Sequence, residues 1–204
     1  MFDRHLRRIK DHWFRLLIVR LDGQWSPTTV TWVGLAVGVL GIVLTWRGAL
    51  VWGLALWLLN RLLDGLDGAL ARQNDAQSDF GGYVDILADF VVYAGYPIAI
   101  AFAAPSHANS VALAWLLASF YVNAISWSYL AALLEKRQAG ASAHGEQTSV
   151  TMPEGLIGAT ETIVFYCLFL LFPQWLVPLF SLMAALVALT ILQRLRWARL
   201  VLTV

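Results

Sequence analysis

Residues 49–71 read ALVWGLALWLLNRLLDGLDGALA, and residues 82–103 read GYVDILADFVVYAGYPIAIAFA. Each run has about the 20 residues that a helix needs to cross a bilayer. Each also carries carboxylates: Asp64 and Asp67 near the end of the first, Asp85 and Asp89 near the start of the second. Ionisable groups inside a span are costly and point to function by default. At helical spacing Asp64, Asp67, Gly68 and Ala71 share one face, and Gly81, Asp85 and Asp89 share one face of the next helix. The connection is short, so the two faces can meet at one end of a helix pair.

The rest of the chain sets this pair in a membrane. Of 204 residues, 59% are hydrophobic and 13% charged, against about a quarter charged in soluble domains. Mean hydropathy is +0.67. Long apolar runs with clustered charges describe a polytopic membrane protein. Ten Trp and six Tyr suit two water–lipid interfaces. The single cysteine, Cys167, excludes an internal disulfide. No cleavable signal is expected in the charge-rich first 25 residues.

Residues 2–21 predict an amphipathic helix. Phe2, Leu6, Ile9, Trp13, Leu16 and Leu17 fall on one face, and Arg4, Arg8, Asp11 and Arg15 on the other. Such a helix lies on a membrane surface. Asp22-Gly23 breaks it. Ser26-Pro27 then reads as an N-cap and first-turn proline, opening a span over about residues 28–46. On that span Gly34, Gly38 and Gly41 share a face that another helix can approach closely. After the two quoted runs, Pro105 and Asn109 mark a turn, and a fourth span covers about 110–134. Residues 135–151 read as a polar loop. Thr151 and Glu154 have capping-box spacing, with Pro153 between them, and start a fifth span that ends near Phe172. A turn from Pro173 to Pro178 leads into a sixth, about 176–198.

The predicted fold is therefore all-α: six transmembrane helices and an N-terminal juxtamembrane helix. A single domain covers 1–204, with a surface helix over 1–25 and the bundle over 26–204. Nearly all Lys and Arg fall on one side, including Arg194, Arg196 and Arg199, and only Arg47 on the other. The positive-inside rule places both termini and the carboxylate end in the cytoplasm.

Four carboxylates gathered in low dielectric must become neutral or bind cations. Oxygen ligands without His or Cys suit Mg²⁺, Mn²⁺ or Ca²⁺, and paired metals are a familiar clamp for a phosphoryl group. Small residues at Gly68, Ala71 and Gly81 leave room for a base or phosphate to reach the backbone. Arg72 can pair with a diphosphate. The bland alternative is a set of interfacial aspartates paired with Arg61 and Arg72, which four at this spacing argue against.

The run Asp64-x-x-Asp67-Gly68-x-x-Ala71-Arg72, eight residues, Gly81, three residues, Asp85, three residues, Asp89 resembles the complete signature of the CDP-alcohol phosphotransferase family. Ser26-Pro27-Thr28 also resembles the family's start of span one, although the family often has Asn where Thr28 stands. The resemblance implies a CDP-linked lipid donor, a small alcohol acceptor and CMP as leaving group. Asp64, Asp67 and Asp85 would be metal ligands. Asp89 would be a ligand of the second metal, the general base, or both. Gly68, Ala71, Arg72 and Gly81 would line the nucleotide site. Two Mg²⁺ or Mn²⁺ ions are implied, with Ca²⁺ as a non-productive occupant, and so are a homodimer, membrane-lipid contact, a bacterial inner membrane and no nucleic acid. The motif leaves direct displacement and an aspartyl-phosphoryl intermediate both open.

CDP-diacylglycerol is preferred to a CDP-choline-type donor by family analogy, because the chain is short. The acceptor is not readable, glycerol-3-phosphate being one example. A cation transporter is the reading from another class, but it predicts carboxylates near the midplane and paired broken helices.

Candidate acceptor contacts are Asn60, one turn before Asp64, Arg61, and the basic pair Lys136 and Arg137. Glu161 joins them, set about two turns and roughly 10 Å into the fifth span. Asn60 reads equally as a helix–helix hydrogen bond. Lys136, Arg137, Arg194 and Arg196 read first as topology and headgroup contacts. Asn123, Ser119 and Ser126 read as interhelical glue, Tyr93, Tyr96 and Pro97 as packing and a kink, and His5, His12, His107 and His144 as solvated surface.

Overall fold

The structure is a computed structural model that describes residues 25–137 and 155–203. The predicted surface helix over 2–21, most of the 135–151 loop and the Thr151–Glu154 cap lie outside the described residues, as do His5, His12 and His144. The described residues are helical and contain no strand. The helices are α1 (Pro27–Trp46), α2 (Leu50–Gln73), α3 (Asp79–Ala103), α4 (His107–Lys136), α5 (Ala159–Leu171) and α6 (Leu176–Leu202), with a 3₁₀ turn at Pro173–Trp175. Four of them, α1, α3, α4 and α6 with its preceding turn, are long and apolar enough to cross a membrane. Large apolar side chains such as Trp52, Phe102, Trp115 and Tyr121 stand exposed, as lipid contact requires.

The chain divides into two compact units, residues 1–103 and 104–204. In the first, α1 packs on both α2 and α3. Ser26 caps α1, its hydroxyl accepting from the Thr29 N–H at 3.2 Å, with Pro27 in the first turn. The buried face of α1 is Val30, Thr31, Gly34, Gly38, Gly41 and Thr45. Its glycines are small for a definite reason. A Cβ on Gly38 would meet Val92 and lie 3.1 Å from the Asn60 amide, and one on Gly41 would collide with the Tyr96 hydroxyl. Tyr96 in turn donates to the Gly53 carbonyl at 3.0 Å, and Trp57 meets its ring edge-on at 5.2 Å. Beside these, Val30, Leu66 and Leu70 form an apolar cluster with Leu63 and Ala69 against it.

In the second unit α4 and α6 pack together and α5 joins α6. Phe169 and Phe180 stack edge-on at 4.8 Å. Arg194, buried, donates through Nη1 to Asn123 Oδ1 at 2.8 Å and Ser126 Oγ at 2.6 Å. Asn123 and Ser126 thus act as the interhelical glue the sequence suggested, while Ser119 bonds back to its own helix at Leu116. His107 opens α4 behind the Ser106 cap, so Asn109 lies in its first turn rather than in the connection.

One boundary differs from expectation. The fifth helix starts at Ala159, not near Thr151. The Leu156 N–H donates to Gln193 Oε1 at 3.1 Å and the Ile157 N–H to Thr190 Oγ1 at 3.0 Å. These donors are bound to α6 side chains, and a bend at 156–157 precedes the helix. Glu161 therefore sits in the first turn of α5, not two turns inside it. Its carboxylate accepts from the Gly158 N–H at 3.0 Å, and its side chain is exposed.

Overpacking at the glycine face is testable. Gly41→Ala should lower stability by about 1–3 kcal/mol, read as a fall in detergent melting temperature. Adding Tyr96→Phe removes the colliding oxygen, so the double variant should be more stable than the sum of the two single losses.

Candidate active site

The three helices of the first unit converge on one cleft. It is lined by Thr31, Gly34 and Leu35 of α1, Asn60, Arg61, Asp64 and Asp67 of α2, and Asp85, Ala88 and Asp89 of α3. All four signature carboxylates are present. Helical spacing puts each pair on one face, and the glycine face of α1 lets the helices close round them.

Each carboxylate has a different setting. Asp67 is 5% exposed, and its Oδ2 accepts from the Thr31 hydroxyl at 2.6 Å. Asp89 pairs through Oδ1 with Arg61 Nη2 at 2.9 Å, and Asp64 Oδ2 lies 3.8 Å from Arg61 Nη1. The Asp64 and Asp89 side chains are 33% and 30% exposed, so these two are open to a ligand in a way that Asp67 is not. Asp85 makes no ion pair among the described residues.

Arg61 is itself tightly held. Its Nε and Nη2 donate to Asn60 Oδ1 at 3.0 and 2.7 Å, and its Nη1 donates to the Tyr93 hydroxyl at 2.7 Å. The guanidinium carbon lies 5.0 Å from the Trp57 ring centroid and 4.7 Å from that of Tyr93. Asn60 is fixed from the other side, where its amide donates to the Gly34 carbonyl at 2.8 Å. The helix–helix hydrogen bond read for Asn60 is therefore present, and the same side chain also orients Arg61.

With four carboxylates and one guanidinium, the cleft has an excess of anionic groups. Among the described residues, no three His, Cys, Asp or Glu side chains are gathered to hold an ion as they stand. The donor chemistry nevertheless fits a hard divalent cation. It is oxygen only, with four carboxylates and the Thr31 hydroxyl facing one cleft.

The residues expected for the nucleotide lie outside this lining. Gly68, Ala71 and Arg72 continue the carboxylate face of α2, and a Cβ on Gly68 would come 3.4 Å from Arg72 Nη1. Gly81, in the first turn of α3, donates its N–H to Ser78 Oγ at 3.1 Å. A Cβ there would lie 3.6 Å from the Thr28 hydroxyl, so the start of α1 borders Gly81. Of the acceptor candidates, Asn60 and Arg61 are in the cleft. Lys136 ends α4, Arg137 caps it and both are exposed. Glu161 caps α5.

Sequence reasoning missed Thr31 and gave Tyr93 only a packing role. Both were findable. Thr31 sits one turn before Gly34 on the glycine face, and Tyr93 continues the series Gly81, Asp85, Asp89 at four-residue steps.

The CDP-alcohol phosphatidyltransferase family model matches residues 24–204. The chain is 40% identical over 176 residues to the inner membrane protein YnjF of Escherichia coli (strain K12), covering 86% of this chain and 84% of that one. It is 33% identical over 102 residues to a bifunctional IPC transferase and DIPP synthase of Thermococcus kodakarensis, covering 50% of this chain and 22% of that one. In fold it is similar to the crystal structure of Mycobacterium tuberculosis phosphatidylinositol phosphate synthase with CDP-DAG bound. That match has a TM-score of 0.67 at 23% identity and covers 94% of each chain. With the signature aspartates gathered on one cleft and the family model matched over nearly the whole length, the chain belongs to the CDP-alcohol phosphatidyltransferase family.

Proposed function

We propose that this membrane transferase moves a phosphatidyl group from CDP-diacylglycerol to the hydroxyl of a small polar alcohol and releases CMP. The observation that carries this reading is the cleft shared by Asp64, Asp67, Asp85 and Asp89. The lipid donor is supported by the CDP-DAG bound in the fold neighbour. Glycerol-3-phosphate is an example of the acceptor class.

The family is generally dependent on divalent metal. Asp64, Asp67 and Asp85 would hold Mg²⁺ or Mn²⁺, with Asp89 at a second ion, and Ca²⁺ would bind without turnover. Such ions, when bound, neutralise the diphosphate and the departing CMP. The protein's own part is to orient and to move a proton. The acceptor oxygen forms a bond to the phosphatidyl phosphorus, the bond from that phosphorus to CMP breaks, and the hydroxyl proton passes to Asp89. Thr31 keeps Asp67 in one orientation. Gly68, Ala71, Arg72 and Gly81 take the nucleotide, where Arg72 pairs with phosphate and the small residues admit the base.

The apolar helices and the one-sided distribution of Lys and Arg support a membrane setting. We read α2 as a span whose charges turn into the cleft, and the whole chain as one domain with six spans, acting as a homodimer. Both termini and the site lie on the cytoplasmic face.

The direct test is CMP release from CDP-diacylglycerol by purified protein with Mg²⁺ or Mn²⁺ and a panel of alcohols: glycerol-3-phosphate, inositol phosphate and serine. One acceptor should raise CMP release well above the acceptor-free rate, and chelation should abolish it. No release with any member, metal present, would reject this reading.

Two variants test the assignments. Asp64→Asn and Asp85→Asn should each lower turnover by about 10³-fold or more, because each removes a charge that positions the phosphoryl group. Melting temperature should change little, and wild-type turnover at limiting Mn²⁺ would reject the ligand roles. Gly81→Leu should abolish CMP binding measured by calorimetry while the protein stays folded. Undiminished CMP affinity would place the base elsewhere.

A further inference from the structure

Among the described residues Arg61 is the one cation lining the carboxylate cleft, and the family signature does not include it. A guanidinium has five N–H donors in a rigid plane. Four are committed: Nε and one Nη2 donor to Asn60 Oδ1, the other Nη2 donor to Asp89, and one Nη1 donor to Tyr93. The fifth has Asp64 Oδ2 at 3.8 Å as its neighbour. The plane is further fixed by the Trp57 and Tyr93 rings. Through Asn60 and its bond to the Gly34 carbonyl, the group is tied to α1 as well. A cation bound in this way has little left for an incoming acceptor. It is built to hold Asp89.

We propose that Arg61 is a positioning residue that fixes the Asp89 carboxylate toward the acceptor hydroxyl, and that Asn60 and Tyr93 set the angle of its guanidinium. The inference rests on the proposed proton transfer to Asp89. The side chain bridges Asn60, Asp89 and Tyr93 at once, which the single ammonium of lysine cannot reproduce. It also adds a positive charge within the anionic cleft, so it opposes cation binding while it orders the base.

The two effects have opposite signs in a variant, and this makes the role measurable. The assay is metal-dependent CMP release from CDP-diacylglycerol with the best acceptor of the panel. Arg61→Met should lower kcat by about 10–100-fold, the range for groups that orient a reacting residue. Donor and acceptor KM should stay within about threefold. Mn²⁺ affinity of the donor-free protein, read by electron paramagnetic resonance titration, should stay the same or tighten.

Arg61→Lys should recover only part of kcat. Tyr93→Phe removes one bond to the guanidinium and leaves its charge. It should give a smaller loss in kcat at unchanged KM, and it keeps the idea testable where Arg61→Met does not fold. A tenfold rise in acceptor KM with kcat held would make Arg61 an acceptor contact and overturn the proposal. Wild-type kcat in folded Arg61→Met, or Mn²⁺ affinity weakened more than threefold, would also overturn it. Asp89→Asn separates the two levels. If that variant turns over normally, the proton-transfer reading fails. If it is inactive while Arg61→Met and Tyr93→Phe are both normal, only the Arg61 role fails.

Discussion

Four carboxylates brought together on a helix pair cannot crowd together unaided. Like charges about 4 Å apart repel by about 4 kcal/mol at an effective dielectric constant of 20. The ion pair between Arg61 and Asp89 at 2.9 Å is the protein's own answer to part of that repulsion. A buried guanidinium holds only when its remaining donors are satisfied. Asn60 and Tyr93 supply those partners, so the cleft depends on a polar network in which each member fixes the next.

That network needs close helices. Asn60 reaches the Gly34 carbonyl at 2.8 Å across a surface that carries no side chain at Gly38. Bulk at Gly38 would strike both Val92 and Asn60. Helix association in lipid relies on such close packing, since lipid tails are as apolar as leucine. The glycine face that brings α1 against α2 and α3 therefore also sets Thr31 against Asp67. Packing and chemistry use the same residues, and a change made for one is felt by the other.

Much of this was legible in the sequence because helical periodicity is strict. The spacing of Asp64, Asp67, Asp85 and Asp89 gave the two faces, Gly34, Gly38 and Gly41 gave the third helix, and Ser26-Pro27 gave its start. Less legible was anything that depends on a partner far along the chain. Thr31 meets Asp67 across 36 positions; its place on the glycine face marks it as facing a neighbouring helix but does not name Asp67 as its partner. The start of α5 was misplaced for the same reason. Gln193 and Thr190 take the N–H groups of Leu156 and Ile157, partners that lie more than 30 positions away and that local spacing cannot show. Arg194 read first as a topology and headgroup contact, and it is buried on Asn123 and Ser126. An arginine at a span end carries no local mark of which way its side chain turns.

The four aspartates look equivalent in the signature, but their surroundings divide them. Asp67 is almost wholly enclosed and accepts a hydrogen bond from the Thr31 hydroxyl of α1, so one of its lone pairs is already committed. It is suited to tying α1 to the site and to holding a fixed ligand position. Asp64 and Asp89 are about a third exposed, and each has the Arg61 guanidinium as a neighbour. That exposure lets a cation or hydroxyl reach them without unpacking the helices, while Arg61 holds Asp89 in place. Asp85 has no competing ion pair among the described residues. A gradient from enclosed to open thus runs across the cleft, and its origin is geometric: α1 covers Asp67 through Thr31, while Asp64 and Asp89 keep about a third of their side chains exposed.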